Sequence, residues 1–208
     1  MPTVIYSTKH ATLASTVSVG IFIMLETTKW FTKGIPFIDD IWNYESRYLD
    51  EREKRDGQGV ILSHLFLLLG CTIPIMTMYT LNDWDPENQN RWVYLSLSGL
   101  FFVGLGDSTA ALVGRDMGET RWFFGSHKTV EGSLACIITV LSCYFLAIVS
   151  FKIIPKPVTL AVELMMATFC TTVFEALTKQ FDNLLCPLFY FTMLNMLNCF
   201  YDPIFNAK

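Results

Sequence analysis

Asp107 is a carboxylate set inside an otherwise apolar stretch, and a glycine-punctuated loop carrying Arg115, Arg121, His127 and Lys128 follows it before a new apolar run begins. An acid in such a stretch is costly unless it has work to do. Carboxylate oxygens suit a hard cation such as Mg²⁺, which completes its shell with waters and substrate phosphates. Basic side chains and the free N–H groups at a helix start suit phosphate itself. Side by side, the two point to a site where metal and phosphate meet at a bilayer surface.

A second group of the same kind lies near the end of the chain. Glu175 and Asp182 are separated by two helical turns, so a helix continuing through both would put them on one face, with Asn183 beside them. Asp107 is placed to face that group. Arg121 and Lys128 are the candidate phosphate contacts, with His127 assisting. Gly118 and Gly125 would let the backbone approach a ligand closely. Ser126, Thr129, Glu131 and Gly132 lead into the next apolar run, whose first N–H groups would face a bound anion. The loop has no Walker A spacing, so it is not a P-loop.

These residues need apolar elements to hold them. The chain has 208 residues, 52% apolar and only 16% charged, with a mean hydropathy of +0.39. The apolar residues fall in blocks long enough to cross a bilayer. Six such segments are expected: 11–31, 60–81, 92–114, 133–154, 158–178 and 184–201. The fold class is therefore all-α, a polytopic membrane protein of about six transmembrane helices in one domain over 1–208. The first block is too long for a signal-peptide core and is read as a retained span. A net charge of −4 gives no sign of nucleic-acid binding.

Alternating spans send Lys29, Lys33, Arg47, Arg52, Lys54, Arg55, Arg115, Arg121, Lys128 and Lys179 to one side. The positive-inside rule makes that side cytosolic. Two cytosolic loops result, 32–59 and 115–132. Glu26, His64, Asp107, Glu175 and Asp182 all fall towards the same surface, and Glu163 towards the other. Simpler roles stand beside these. Gly106, Ala110, Gly114 and Gly118 form a small-xxx-small stripe suited to helix packing. Arg121 and Lys128 taken singly suit interfacial anchors, Glu26 a snorkelling acid, and His64 a helix-packing polar residue. The six cysteines show no disulfide or zinc spacing.

The motif Gly-x-Gly-Asp-x-x-Ala-x-x-x-Gly-x-x-x-Gly from Gly104 to Gly118, followed by Gly-Ser-His-Lys-Thr-Val-Glu-Gly from Gly125 to Gly132, resembles the CTP-binding region of the polyprenol kinases. Tyr48-Leu-Asp-Glu-Arg-Glu, the run from Ile61 to Gly70, and the stretch from Glu175 to Leu188 are similar to further segments of the dolichol-phosphorylating members. Two positions depart from the pattern: His127 stands for the first of two lysines, and Phe124 for a proline. The resemblance implies the C-terminal catalytic portion of a longer enzyme. It implies CTP as phosphate donor, Mg²⁺ or another divalent cation on Asp107 and Asp182, and a polyprenol lipid as acceptor. Asp107, Glu175 and Asp182 would be the catalytic set, and 115–132 the CTP-binding loop. The implied setting is the endoplasmic reticulum membrane, with the product serving protein glycosylation. A related CTP-using lipid kinase, a phosphatidate cytidylyltransferase and an inactive truncated homologue are the alternatives. The oligomeric state is left open.

Overall fold

The computed structural model describes residues 8–32, 62–82, 89–122, 128–151, 157–178 and 181–206. The 32–59 loop lies almost wholly outside them, as do Gly125, Ser126 and His127. The described elements are α1 (Thr8–Thr32), α2 (Leu62–Asn82), α3 (Gln89–Ser96), a π-helical segment (Leu100–Asp107), α4 (Ser108–Met117), α5 (Val130–Phe151), α6 (Pro157–Leu177) and α7 (Asp182–Asn206). The chain is all-α, as expected. Among the described residues the one β-type pairing is a single bridge, Arg121 to Thr129.

Among the described residues four helices are long and apolar enough to cross a membrane: His64–Leu81, Val130–Ser150, Thr159–Leu177 and Asp182–Phe200. A shorter apolar stretch, His10–Leu25, lies in α1. The third expected span is not one continuous helix. It runs as α3, the π segment and α4, with the change of winding just before and at Asp107. A π turn bonds i to i+5, so it admits an extra residue per turn and re-aims the side chains beyond it.

Around the π segment the elements pack in a ring. The segment contacts α5, α7 and α2, α5 packs on α4 and α6, α6 packs on α7, and α1 packs on α2. Phe102, Tyr144 and Tyr190 fill the centre, each essentially inaccessible. The Tyr144 hydroxyl donates to the Tyr94 carbonyl at 3.2 Å, so the central aromatic layer is tied to α3. Leu134, Ile138, Phe145, Met165 and Phe169 point outward, as lipid-facing side chains must. His64 stacks on Phe22 of α1, with ring centroids 6.1 Å apart, which is the helix-packing role.

Close approach depends on small residues. A Cβ on Gly99 would stand 2.3 Å from the Gly70 carbonyl oxygen and 3.0 Å from the Cys71 Cα. Both neighbours are backbone and cannot rotate away. Gly99→Ala is therefore expected to lower stability by about 1–3 kcal/mol, the usual cost of overpacking, read as a lower thermal midpoint in detergent. The stripe on α4 has the same function. A Cβ on Gly114 would come 2.8 Å from Thr129 Oγ1, and one on Gly132 would come 2.7 Å from the Ala110 carbonyl oxygen. These glycines bring α4 and α5 together.

Glu163 sits at the end of α6 opposite Glu175 and is buried. Asn198 of α7 donates its amide to Glu163 Oε2 at 3.4 Å and also to the Tyr94 hydroxyl. Glu163 thus belongs to a polar contact joining α3, α6 and α7.

A carboxylate and lysine cleft as candidate active site

Three chain segments deliver carboxylates to one point. Asp107 ends the π segment, Glu175 lies in the last turn of α6, and Asp182 begins α7. The expectation that one continuing helix aligns Glu175 with Asp182 is not met. α6 stops at Leu177 and the chain reverses before α7. Phe181 makes that reversal in the left-handed region, with φ 56°. Its ring stands edge-on to Phe66 of α2, with centroids 5.1 Å apart. Its carbonyl accepts the Leu184 and Leu185 N–H groups and so starts α7. The two acids meet because antiparallel helices bring the end of one beside the start of the next.

Lys128 occupies the point of convergence. Its Nζ lies 2.7 Å from Glu175 Oε1, 3.2 Å from Asp182 Oδ2 and 3.6 Å from Asp107 Oδ1. Glu175 is the buried member, 5% exposed, whereas the Asp107 side chain is 31% exposed. Burial alone would push the Lys128 pKa down, but Glu175, Asp107 and Asp182 outweigh it and raise it above the ordinary 10.5. A raised folded-state value means that the ion pairs contribute fully below about 10.5 and are lost only as pH rises through the folded value. The stability gap between the native chain and Lys128→Met is thus expected to stay flat from neutral pH to about 10 and to shrink only above that. Thermal midpoints across pH check this.

The segment preceding α5 is braced by several contacts. The Arg121 to Thr129 bridge closes the loop, and the Val130 N–H donates to the Thr120 carbonyl at 2.8 Å. Glu131 accepts the Thr120 N–H at 3.0 Å. The Trp122 indole N–H donates to Ser133 Oγ at 2.8 Å. Thr129 caps α5, its Oγ1 accepting the Gly132 N–H at 3.2 Å. Lys128 therefore leaves an anchored backbone.

Beside this cluster is a cleft of about 320 Å³. Asp107, Arg115, Lys128, Thr129, Ser133 and Glu175 supply its polar lining, and small residues of α4 and α5 its floor. Asp182 lies behind it, next to Asp107 and Glu175. Arg121 is exposed and is not among the described residues lining the cleft. Gly118 ends α4 and presses against Thr129. Arg115 fell inside the expected 115–132 loop without being named as a ligand contact, and Ser133 was not assigned to the site from the sequence. Arg115 was detectable in principle, because eight residues of helix return it close to the face of Asp107. Ser133 carried no signal, since only the fold places it opposite α4.

The donor set is of the chemical kind a hard divalent cation takes, carboxylate oxygens. Three carboxylates converge on a single positive charge, and Mg²⁺ favours such oxygens together with phosphate. Among the described residues no three His, Cys, Asp or Glu side chains are grouped as a ready cation cage, and the Lys128 ammonium lies among the three carboxylates.

Fold and cleft together describe a polytopic helical membrane protein with a charged cleft at one end of its bundle. Comparison with known proteins gives that class a family resemblance. The chain is 28% identical over 202 residues to "Dolichol kinase EVAN" of Arabidopsis thaliana, covering 93% of this chain and 32% of that protein. Dolichol kinase of Mus musculus is 29% identical over 194 residues, covering 93% of this chain and 35% of its own length. Dolichol kinase of Bos taurus is 30% identical over 182 residues, covering 88% and 33%. The chain is thus a homologue of dolichol kinases along most of its length, consistent with a C-terminal part of such a protein. It spans about a third of the length of these relatives. No protein-family model and no solved structure matches it.

Proposed function

We propose that the chain carries the catalytic cleft of a CTP-dependent polyprenol kinase, which moves the γ-phosphoryl group of CTP to the terminal hydroxyl of dolichol. The observation that carries this reading is the convergence of Asp107, Glu175 and Asp182 on Lys128 beside the α5 N-terminus. The named relatives support it.

Phosphoryl transfer is mostly positioning and charge neutralisation. Asp107 and Asp182 would hold Mg²⁺, which supplies charge neutralisation on the triphosphate. Lys128 and Arg115 both line the cleft and would neutralise phosphate oxygens. Glu175 lines the cleft and is the carboxylate left over once Asp107 and Asp182 take the cation. It is assigned as acceptor of the alcohol proton. The polyprenyl chain would lie between apolar helix faces, with its hydroxyl at the charged end of the bundle. The cytosolic orientation, the endoplasmic reticulum membrane and the supply of dolichyl phosphate to glycosylation belong to the same proposal, and the Lys and Arg distribution supports the orientation.

Membranes containing this chain, given γ-labelled CTP and a panel of polyprenols, test it. Label is expected on the lipid. Label retained from α-labelled CTP would instead mean cytidylyl transfer and would overturn the assignment.

A further inference from the structure

Lys128 has two incompatible duties in the proposed reaction. Its ammonium is docked on Glu175, Asp182 and Asp107 at 2.7, 3.2 and 3.6 Å. While it is there, it cannot reach phosphate oxygens elsewhere in the cleft. The carboxylates, while it is there, cannot close on another cation.

We propose that Lys128 is a built-in counter-cation that holds the three carboxylates until a metal–nucleotide complex arrives, so that the divalent cation enters with the nucleotide and not before it. This deepens the reading of the cleft as a metal–nucleotide site and rests on it. A free divalent cation meets carboxylates already partly neutralised. To bind, it must expel an ammonium that then has no anion to go to, while Glu175 is buried and its contact is short. A metal–triphosphate brings that anion with it. The ammonium passes to the phosphates, the metal passes to the carboxylates, and each charge keeps a partner throughout.

The local structure suits such an exchange. A lysine is a compact charge on a flexible four-carbon stem. The backbone next to it is fixed by the Thr129 cap and by the bridge to Arg121. Only the side chain has to swing, and the cleft of about 320 Å³ that it lines with Glu175 and Arg115 gives it space.

Mn²⁺ binding to the full chain in lipid nanodiscs, followed by electron paramagnetic resonance without nucleotide, tests this. Lys128→Met is expected to bind Mn²⁺ at least about tenfold more tightly than the native chain, because a competing unit charge within 4 Å has gone. Lys128→Arg, which keeps the charge, is expected to follow the native chain. Equal affinity in the native and Lys128→Met chains overturns the proposal, and so does an equal gain in Lys128→Arg. The native chain also tests it without any variant: one tightly bound Mn²⁺ at micromolar concentration in the absence of nucleotide overturns it. Label transfer from CTP is not read here. A failed exchange therefore leaves the kinase reading standing, and a failed kinase assay with the tenfold gap intact overturns that reading alone.

Discussion

Asp107→Asn is expected to abolish CTP-dependent phosphorylation of polyprenols while the chain still inserts and folds. The substitution keeps the shape of the side chain and removes its charge. Lys128 keeps its two nearer partners, Glu175 at 2.7 Å and Asp182 at 3.2 Å, so the cluster survives. What disappears is a partly exposed carboxylate that lines the cleft at the π-to-α junction. Removing one preorganised electrostatic contact at a transition state costs roughly 10²–10³-fold in rate. A metal-holding carboxylate is expected at the upper end of that range. Label on lipid, measured beside resistance to alkaline extraction from the membrane, separates lost catalysis from lost insertion. Full activity in this variant would remove Asp107 from the site.

The second large effect concerns stability. Lys128→Met leaves Glu175 buried beside an apolar side chain, with Asp182 and Asp107 still pressing on it. Breaking a buried ion pair from one side costs about 3–5 kcal/mol. The lower end applies, because the Lys128 side chain is 31% exposed. Glu175→Gln alone leaves Lys128 two carboxylates and is expected to cost about 1–2 kcal/mol. The two changes together are expected to cost less than their sum by about 1–3 kcal/mol, since neighbours in one network couple. Denaturation of the four chains in the same detergent measures the cycle. Strict additivity would mean that the Lys128 to Glu175 contact does not tie the start of α5 to the end of α6.

Much of this was legible in the residues. The six apolar blocks predicted the helical rods closely, because the bilayer demands long apolar helices and leaves few alternatives. The isolated acids were legible for the same reason, since each is too costly in apolar surroundings to be incidental. The break in the third span was not legible. Leu100 to Gly106 is as apolar as an α-helical span, and its π winding, packed against α2, α5 and α7, leaves no mark in the hydropathy. The glycine stripe suited packing and ligand approach alike, and the contacts of Gly114 and Gly132 show packing. Gly125, Ser126 and His127 lie outside the described residues.

The sequence by itself determined the fold class, the apolar helices and the identity of the charged residues at one end of the bundle. Hydropathy is a local property, and a charge in an apolar run is visible without a neighbour. The tertiary structure decided what those charges do to one another. It turned a supposed two-turn spacing of Glu175 and Asp182 into a meeting across a chain reversal at Phe181. It also put Lys128, expected on phosphate, among the carboxylates expected on metal. That pairing joins residues far apart in the chain, and Coulomb energy between them depends on distances that no one-dimensional pattern contains.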